Sequence, residues 1–266
     1  MAGEPWQLQL VKKSLKKREK LKLLDRHFFV KPSDVALDLG CAQGILSFFL
    51  RQKGGTWLSA DLDFVNCQTA QSLLGKNCLQ IGPDSLPFKE ESFDKVVSLD
   101  YLEHLEDDSG CLREVHRILK ANGELVLATP RTGKIFLLHK LRSAMGMKLE
   151  FYGHKREGYR LLDLKKKLLN TGFSPLYNKS FSRFFSEFLE LVLNLFYIRF
   201  YRPKEPIGLR DGHIRPTTAE EFSSRKKAFR LYSFIYPLIW LFTRLDALFF
   251  LQRGYGLMIW ARKNKP

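Results

Sequence analysis

Asp38, Gly40, Gly44 and Asp61 are the residues whose types and spacing first suggest chemistry in this chain. In "VALDLGCAQG" (35–44) an apolar run ends in a carboxylate, and a loop bounded by two glycines follows. Small residues let a ligand approach the backbone, and a carboxylate beside them favours a ligand that carries donors or positive charge. Asp61 stands about twenty residues beyond the loop, a spacing that suits a ribose whose hydroxyls donate to an acid. Phosphate sites fit poorly. Gly40, Ala42 and Ile45 occupy the positions of a GxGxxG fingerprint, and no GK[ST] closes the loop. A nucleoside without phosphates is the expected ligand.

The elements that must position these residues alternate. Val35–Asp38 reads as a strand, and Ile45–Gln52 as a helix stopped by Gly54-Gly55. Thr56–Ala60 reads as a second strand ending at Asp61, Asn77–Ile81 as a third and Lys95–Leu99 as a fourth. Asp107 or Asp108 caps a helix carrying Leu112, Val115, Ile118 and Leu119. "KANGELVLAT" supplies a turn through Asn122-Gly123 and then a fifth strand. A helix over Leu161–Asn170, a strand over Ser174–Ser180 and a last strand over Leu257–Ala261 complete an α/β, doubly wound, mostly parallel sheet. Such sheets bind ligands beyond the C-terminal ends of their strands, where Asp38–Gly44 and Asp61 both fall.

The 266 residues carry 44 Lys and Arg against 28 Asp and Glu, a net charge of +16 that favours an anionic partner. With 45% hydrophobic residues a disordered chain is excluded. The four cysteines (Cys41, Cys67, Cys78, Cys111) form no CxxC pair and read as small core residues. Residues 1–6 lack a charged-then-apolar secretory pattern, so a reducing, cytoplasmic location is expected. Residues 8–28 read as one strongly basic helix with short apolar stripes. It either covers a sheet edge or is drawn to anionic lipid. Residues 181–251 are aromatic and helical, but their apolar runs fall short of the roughly 20 residues that span a bilayer.

The stretch from 33 to 131 resembles the class I S-adenosylmethionine-dependent methyltransferases, closest to the small-molecule branch that includes quinone-biosynthesis and sterol enzymes. "LDLGCAQG" is similar to the family's first motif, with Ala42 where a glycine is usual, and "SADLD" to its second. "LPFKEESFDKVVSLDYLEHL" and "LREVHRILKANGELVLATP" resemble the segments that lead through the fourth and fifth strands. The resemblance implies a seven-stranded Rossmann-like sheet, S-adenosylmethionine as cofactor and a helical insertion before the last strand. It divides the chain into a basic N-terminal helix (1–30), a cofactor-binding core (31–180), an aromatic insertion (181–251) and a last strand with a basic tail (252–266). It assigns to the cofactor Asp38, Gly40, Cys41, Ala42, Gly44, Asp61, Leu62 and Leu99. The usual adenine-binding acid falls at Gly82, so either Asp84 from a shifted loop or the backbone around Ser85 and Leu86 takes that role.

A sulfonium donor is already activated, so the protein has mainly to align an acceptor, and an oxygen acceptor also needs a base. His104 borders the expected methyl pocket and is the candidate base, with Asp100 beside it. "DYLEH" (100–104) also resembles the ExxEH metal-binding element of some ubiquinone and small-RNA methyltransferases. Glu-His is common in branches without metal, and none is expected. "FYGHKREGYR" (151–160) gathers His154, Arg156 and Tyr159 on a prospective acceptor loop. The aromatic insertion is flanked by Arg199, Arg202, Lys204, Arg225, Lys226, Lys227 and Arg230. Together these features favour a peripheral enzyme on the cytoplasmic face of an anionic membrane, acting on a lipid, lipid-linked or other apolar small molecule. The rivals are an RNA methyltransferase, disfavoured because Leu99–Leu102 is no [DNS]PP[YFW] motif, and a non-enzymatic membrane scaffold.

Overall fold

A computed structural model describes residues 5–83, 85–133, 136–145, 149, 153–200, 218–248 and 253–264. The first strand, β1 (Val35–Leu39), packs in parallel against β2 (Thr56–Asp61) and β4 (Phe93–Leu99). The seven strands lie in the order β3-β2-β1-β4-β5-β7-β6, with β3 Cys78–Gln80, β5 Leu119–Pro130, β6 Phe173–Phe181 and β7 Gly256–Lys263. Only β7 runs against its neighbours, antiparallel to both β5 and β6. Strand order reverses between β1 and β4, which opens a crevice at their C-terminal ends.

Neighbouring residues along each strand turn to opposite faces, and both faces are buried. Leu37, Val96, Leu125 and Ile259 join one core with Leu112, Leu164 and Phe173. Ala36, Val97, Val126 and Met258 join the other with Leu24, Phe28 and Trp57. This alternation explains why the strand segments read as unbroken apolar runs.

The helices are α1 (Trp6–Lys12), α2 (Leu15–His27), α3 (Ile45–Arg51), α4 (Phe64–Leu74), α5 (Asp108–Ile118), α6 (Leu137–Ala144), α7 (Leu161–Asn170), α8 (Phe184–Phe200), α9 (Ala219–Ser224) and α10 (Lys226–Thr243). The single basic helix expected over 8–28 is two, broken where the Ser14 hydroxyl caps α2 by accepting from the Lys17 amide. Asp107 caps α5, accepting from Gly110 N at 2.7 Å. The expected turn at Asn122-Gly123 is instead a bulge inside β5. Asn122 takes φ +61°, and the register slips between the Phe93↔Leu119 and Lys95↔Glu124 pairs. Among the described residues no helix is long and apolar enough to cross a membrane.

Candidate active site

A cavity of about 470 Å³ fills the crevice, within the usual size range of small-molecule sites. Its floor is the loop after β1. Gly40 N and Cys41 N both donate to Ala60 O, at 2.8 and 3.0 Å, which stitches the loop to β2. Gly40 has φ +84°, and a Cβ there would lie 2.5 Å from the Tyr101 ring, so conformation and packing both require glycine. Ala42 also takes a positive φ of 45°, and its amide donates to Asp61 Oδ2 at 2.8 Å. The other oxygen, Oδ1, accepts from Asp63 N and Asn66 Nδ2. Backbone and side-chain donors thus aim the Asp61 carboxylate along the cavity wall.

Asp38 lies buried at the end of β1 and accepts a short hydrogen bond from the Ser47 hydroxyl. Burial pushes its carboxyl up to about 7, although the Ser47 bond pulls the other way. Burial also raises the Cys41 thiol, so that side chain is a small, neutral lining residue. Leu62 and Leu99 complete this end. A fixed carboxylate at the end of β2, a glycine cradle and an enclosed volume together fit a nucleoside.

The opposite end is built from the segment after β4. Asp100 sits in the left-handed region at φ +55° and pairs closely with buried Lys20. Burial would raise its carboxyl, but Lys20 outweighs burial and holds it below the usual range. His104 faces Gly153 O at 2.9 Å through Nδ1. A carbonyl can only accept, so Nδ1 carries the proton and Nε2 is the basic nitrogen. The His154 ring meets His104 edge-on at 4.8 Å. Burial first, then His104, pushes His154 down to about 4, leaving it neutral near pH 7.

Glu103 is fully buried, and among the described residues neither carboxylate oxygen has a hydrogen-bond partner of good geometry, although the Thr129 side chain lies near enough to favour the ionised form. Burial and then Asp100 push its carboxyl up to about 8. Ligand atoms of Glu103, His104 and His154 lie within 4.8 Å of one another, a donor set that a divalent cation could take.

The cavity therefore brings together Asp38, Gly40, Cys41, Ala42, Asp61, Leu62, Leu99, Asp100, His104 and His154. Other expected residues lie elsewhere. Gly44 is the N-cap of α3 at φ +77°, packed against Ala70 and Leu74. Leu86 is a core residue whose amide donates to Glu114, and Ser85 is exposed outside the cavity. Asp84 lies outside the described residues. Tyr159 is buried away from the cavity, its hydroxyl donating to Asp108 Oδ2 at 2.6 Å. Arg156 and Lys167 also converge on Asp108, so this cluster fastens the segment around Arg156 and Tyr159 to α5.

Sequence reasoning missed Lys16, Lys17 and Lys20 of α2, Arg142 of α6 and Glu187 of α8, all of which line the cavity. Their partners are distant in the chain. The one available signal was the 16/17/20 spacing, which puts three lysines on one side of a helix.

Residues 37–127 match the methyltransferase domain family. A ubiquinone biosynthesis O-methyltransferase of Pseudomonas fluorescens is 32% identical over 120 residues, 42% of this chain and 52% of that protein. A malonyl-[acyl-carrier protein] O-methyltransferase of Hamiltonella defensa is 30% identical over 123 residues, 46% of this chain and 47% of that protein. The chain spans about half the length of these relatives. An S-adenosylmethionine-dependent methyltransferase of Thermotoga maritima superposes with a TM-score of 0.58 at 14% identity, covering 96% of this chain and 92% of that one. The [4+2]-cyclase SpnF does so at 0.57 and 15%, covering 94% and 82%, so the fold by itself does not dictate a reaction. The sheet order and the matched domain are those of the class I S-adenosylmethionine-dependent methyltransferases, the family that this chain resembles over residues 37–127.

Proposed function

We propose that the protein transfers a methyl group from S-adenosylmethionine to an oxygen of a lipid, a lipid-linked intermediate or another apolar small molecule. One observation carries the reading: a single cavity joins the Asp38–Asp61 end to the His104–His154 end. The cofactor, when bound, supplies an electrophilic methyl on sulfur. Asp61 would accept from the ribose, and the Gly40–Ala42 backbone would admit the nucleoside at close range. His104 Nε2 would take the acceptor hydroxyl proton, with Nδ1 anchored on Gly153 O so that the ring cannot turn. Positioned bases of this kind contribute roughly 10²–10⁴-fold.

Membrane docking belongs to the same proposal. On α10 Leu231, Phe234, Leu238 and Leu241 recur at three- and four-residue spacing and are 61–82% exposed, and Leu245, in the turn just after the helix, continues the row. Phe188, Val192 and Phe196 make a similar exposed row on α8. Arg225, Lys226, Lys227 and Arg230 flank the α10 row, an arrangement suited to an anionic interface on the cytoplasmic face.

The deciding experiment incubates the protein with methyl-labelled S-adenosylmethionine and, in parallel, lipid and RNA extracts. Label in a lipid-soluble product is expected. Label confined to RNA would overturn the reading.

A second reading of the acceptor end is favoured by the buried Glu103 carboxylate, set beside His104 and His154. A divalent cation held by Glu103, His104 and His154 would take over His104's role by acidifying the acceptor hydroxyl directly.

A further inference from the structure

The acceptor end of the cavity carries a cation that the protein does not neutralise. Four basic side chains line it: Lys16, Lys17 and Lys20 from α2, and Arg142 from α6. Three have carboxylate partners. Lys16 and Arg142 share Glu187, at 3.0 and 2.7 Å, and Lys20 pairs with Asp100. Among the described residues no ion pair or side-chain hydrogen bond holds the Lys17 ammonium.

Lys17 is half-buried, so its ammonium is partly withdrawn from water without a partner, which is destabilising. Its position in the first turn of α2 adds to the cost, because the positive end of the helix dipole repels cations and no acidic residue stands in that turn. Burial, then Lys20, lowers its proton affinity, with Asp100 and Glu190 only partly compensating. An unpaired, half-buried cation lining a ligand cavity points to a counter-ion on the ligand. Its charge neighbours Lys20 and Asp100 place it beside the segment that follows β4.

We propose that Lys17 seats an anionic group, a carboxylate or phosphate, carried by the methyl acceptor. This rests on the methyltransferase reading and narrows its substrate class to an apolar molecule with an acidic group. Phe181 and Leu149 are apolar members of the same cavity lining.

The test fills the cofactor site first. The full chain is saturated with S-adenosylhomocysteine, whose binding is confirmed by calorimetry, and is then titrated with octyl phosphate, octanoate, 1-octanol and octyltrimethylammonium. Octyl phosphate or octanoate is expected to bind at least tenfold more tightly than 1-octanol, and the cationic amphiphile most weakly. Lys17→Met should erase that preference and Lys17→Arg should keep it. Because the ammonium has no partner to lose, Lys17→Met should melt no lower than the parent. Equal affinity for octyl phosphate, octanoate and 1-octanol in the parent, or a preference surviving in Lys17→Met, overturns the proposal. It is equally overturned if Lys17→Met weakens S-adenosylhomocysteine tenfold while decarboxylated S-adenosylmethionine binds as before, since the cation then serves the cofactor's own carboxylate. Failure of the parent to bind S-adenosylhomocysteine would take down the methyltransferase reading and this inference together.

Discussion

Lys16 and Glu187 lie 171 residues apart in the chain and 3.0 Å apart in space. Glu187 is 1% exposed and also holds Arg142 at 2.7 Å and the Ser182 hydroxyl at 2.9 Å. Burial would raise its carboxyl, but Lys16 and Arg142 together hold it below the usual range. One carboxylate thus draws three helices, α2, α6 and α8, together beside the cavity.

Glu187→Gln should therefore be severe. It leaves two cations facing a buried amide, and breaking a buried pair costs about 3 kcal/mol. Urea denaturation measures this directly. A loss below about 0.5 kcal/mol, the range of ordinary surface substitutions, would show that the cluster contributes little.

Asp38 gives the fold a pH signature. Its folded value, near 7, lies above that of an unfolded aspartate, so its contribution is complete below about pH 4 and is lost as pH rises toward 7. The stability of Asp38→Asn relative to the parent should accordingly increase from pH 4 to 7 and level off above. A sulfonium ligand favours the ionised form, so the parent's affinity for S-adenosylmethionine should strengthen from pH 6 to 8. Calorimetry showing a flat profile would remove Asp38 from contact with the cofactor.

His104→Ala should lower kcat about 10²-fold or more while changing the Kd for S-adenosylmethionine less than threefold. Asp61→Ala should show the opposite pattern, losing at least tenfold in cofactor affinity. Dialysis against a chelator separates the two readings of the acceptor end. Full turnover afterwards is expected for His104 acting alone, whereas a loss restored by added magnesium, manganese or zinc would transfer its role to a bound cation.

Phe234 and Leu238 are 82% and 70% exposed on α10. The double substitution Phe234→Glu/Leu238→Glu should abolish flotation with phosphatidylserine vesicles at low salt while leaving the melting temperature unchanged. Continued flotation would remove α10 as the membrane-facing surface.

Much of the scaffold was legible because its signals are local. Apolar runs punctuated by Gly and Asp mark β1 and β2, and Asp107 before an apolar stripe marks α5. The Asp38–Gly40–Asp61 end of the site was legible for the same reason: its members stand at strand ends. The cationic half was not. Nothing in residues 15–27 announces that Lys20 turns inward to Asp100, 80 positions away, while Arg18 reaches Tyr236 on α10. Tyr159 misled for the converse reason. A polar aromatic on a loop resembles a binding residue, and only the fold reveals that Asp108 consumes its hydroxyl.

The pairing of β6 with β7 bears on how this architecture tolerates change. The ladder closes at Phe181 opposite Gly256, so the chain leaves the sheet after Phe181 and rejoins it at Gly256, at adjoining points. Such a detour is topologically silent: the strands flanking it keep their register whatever its length. The stretch can therefore change in length while the strands that carry Asp38 and Asp61 keep their places.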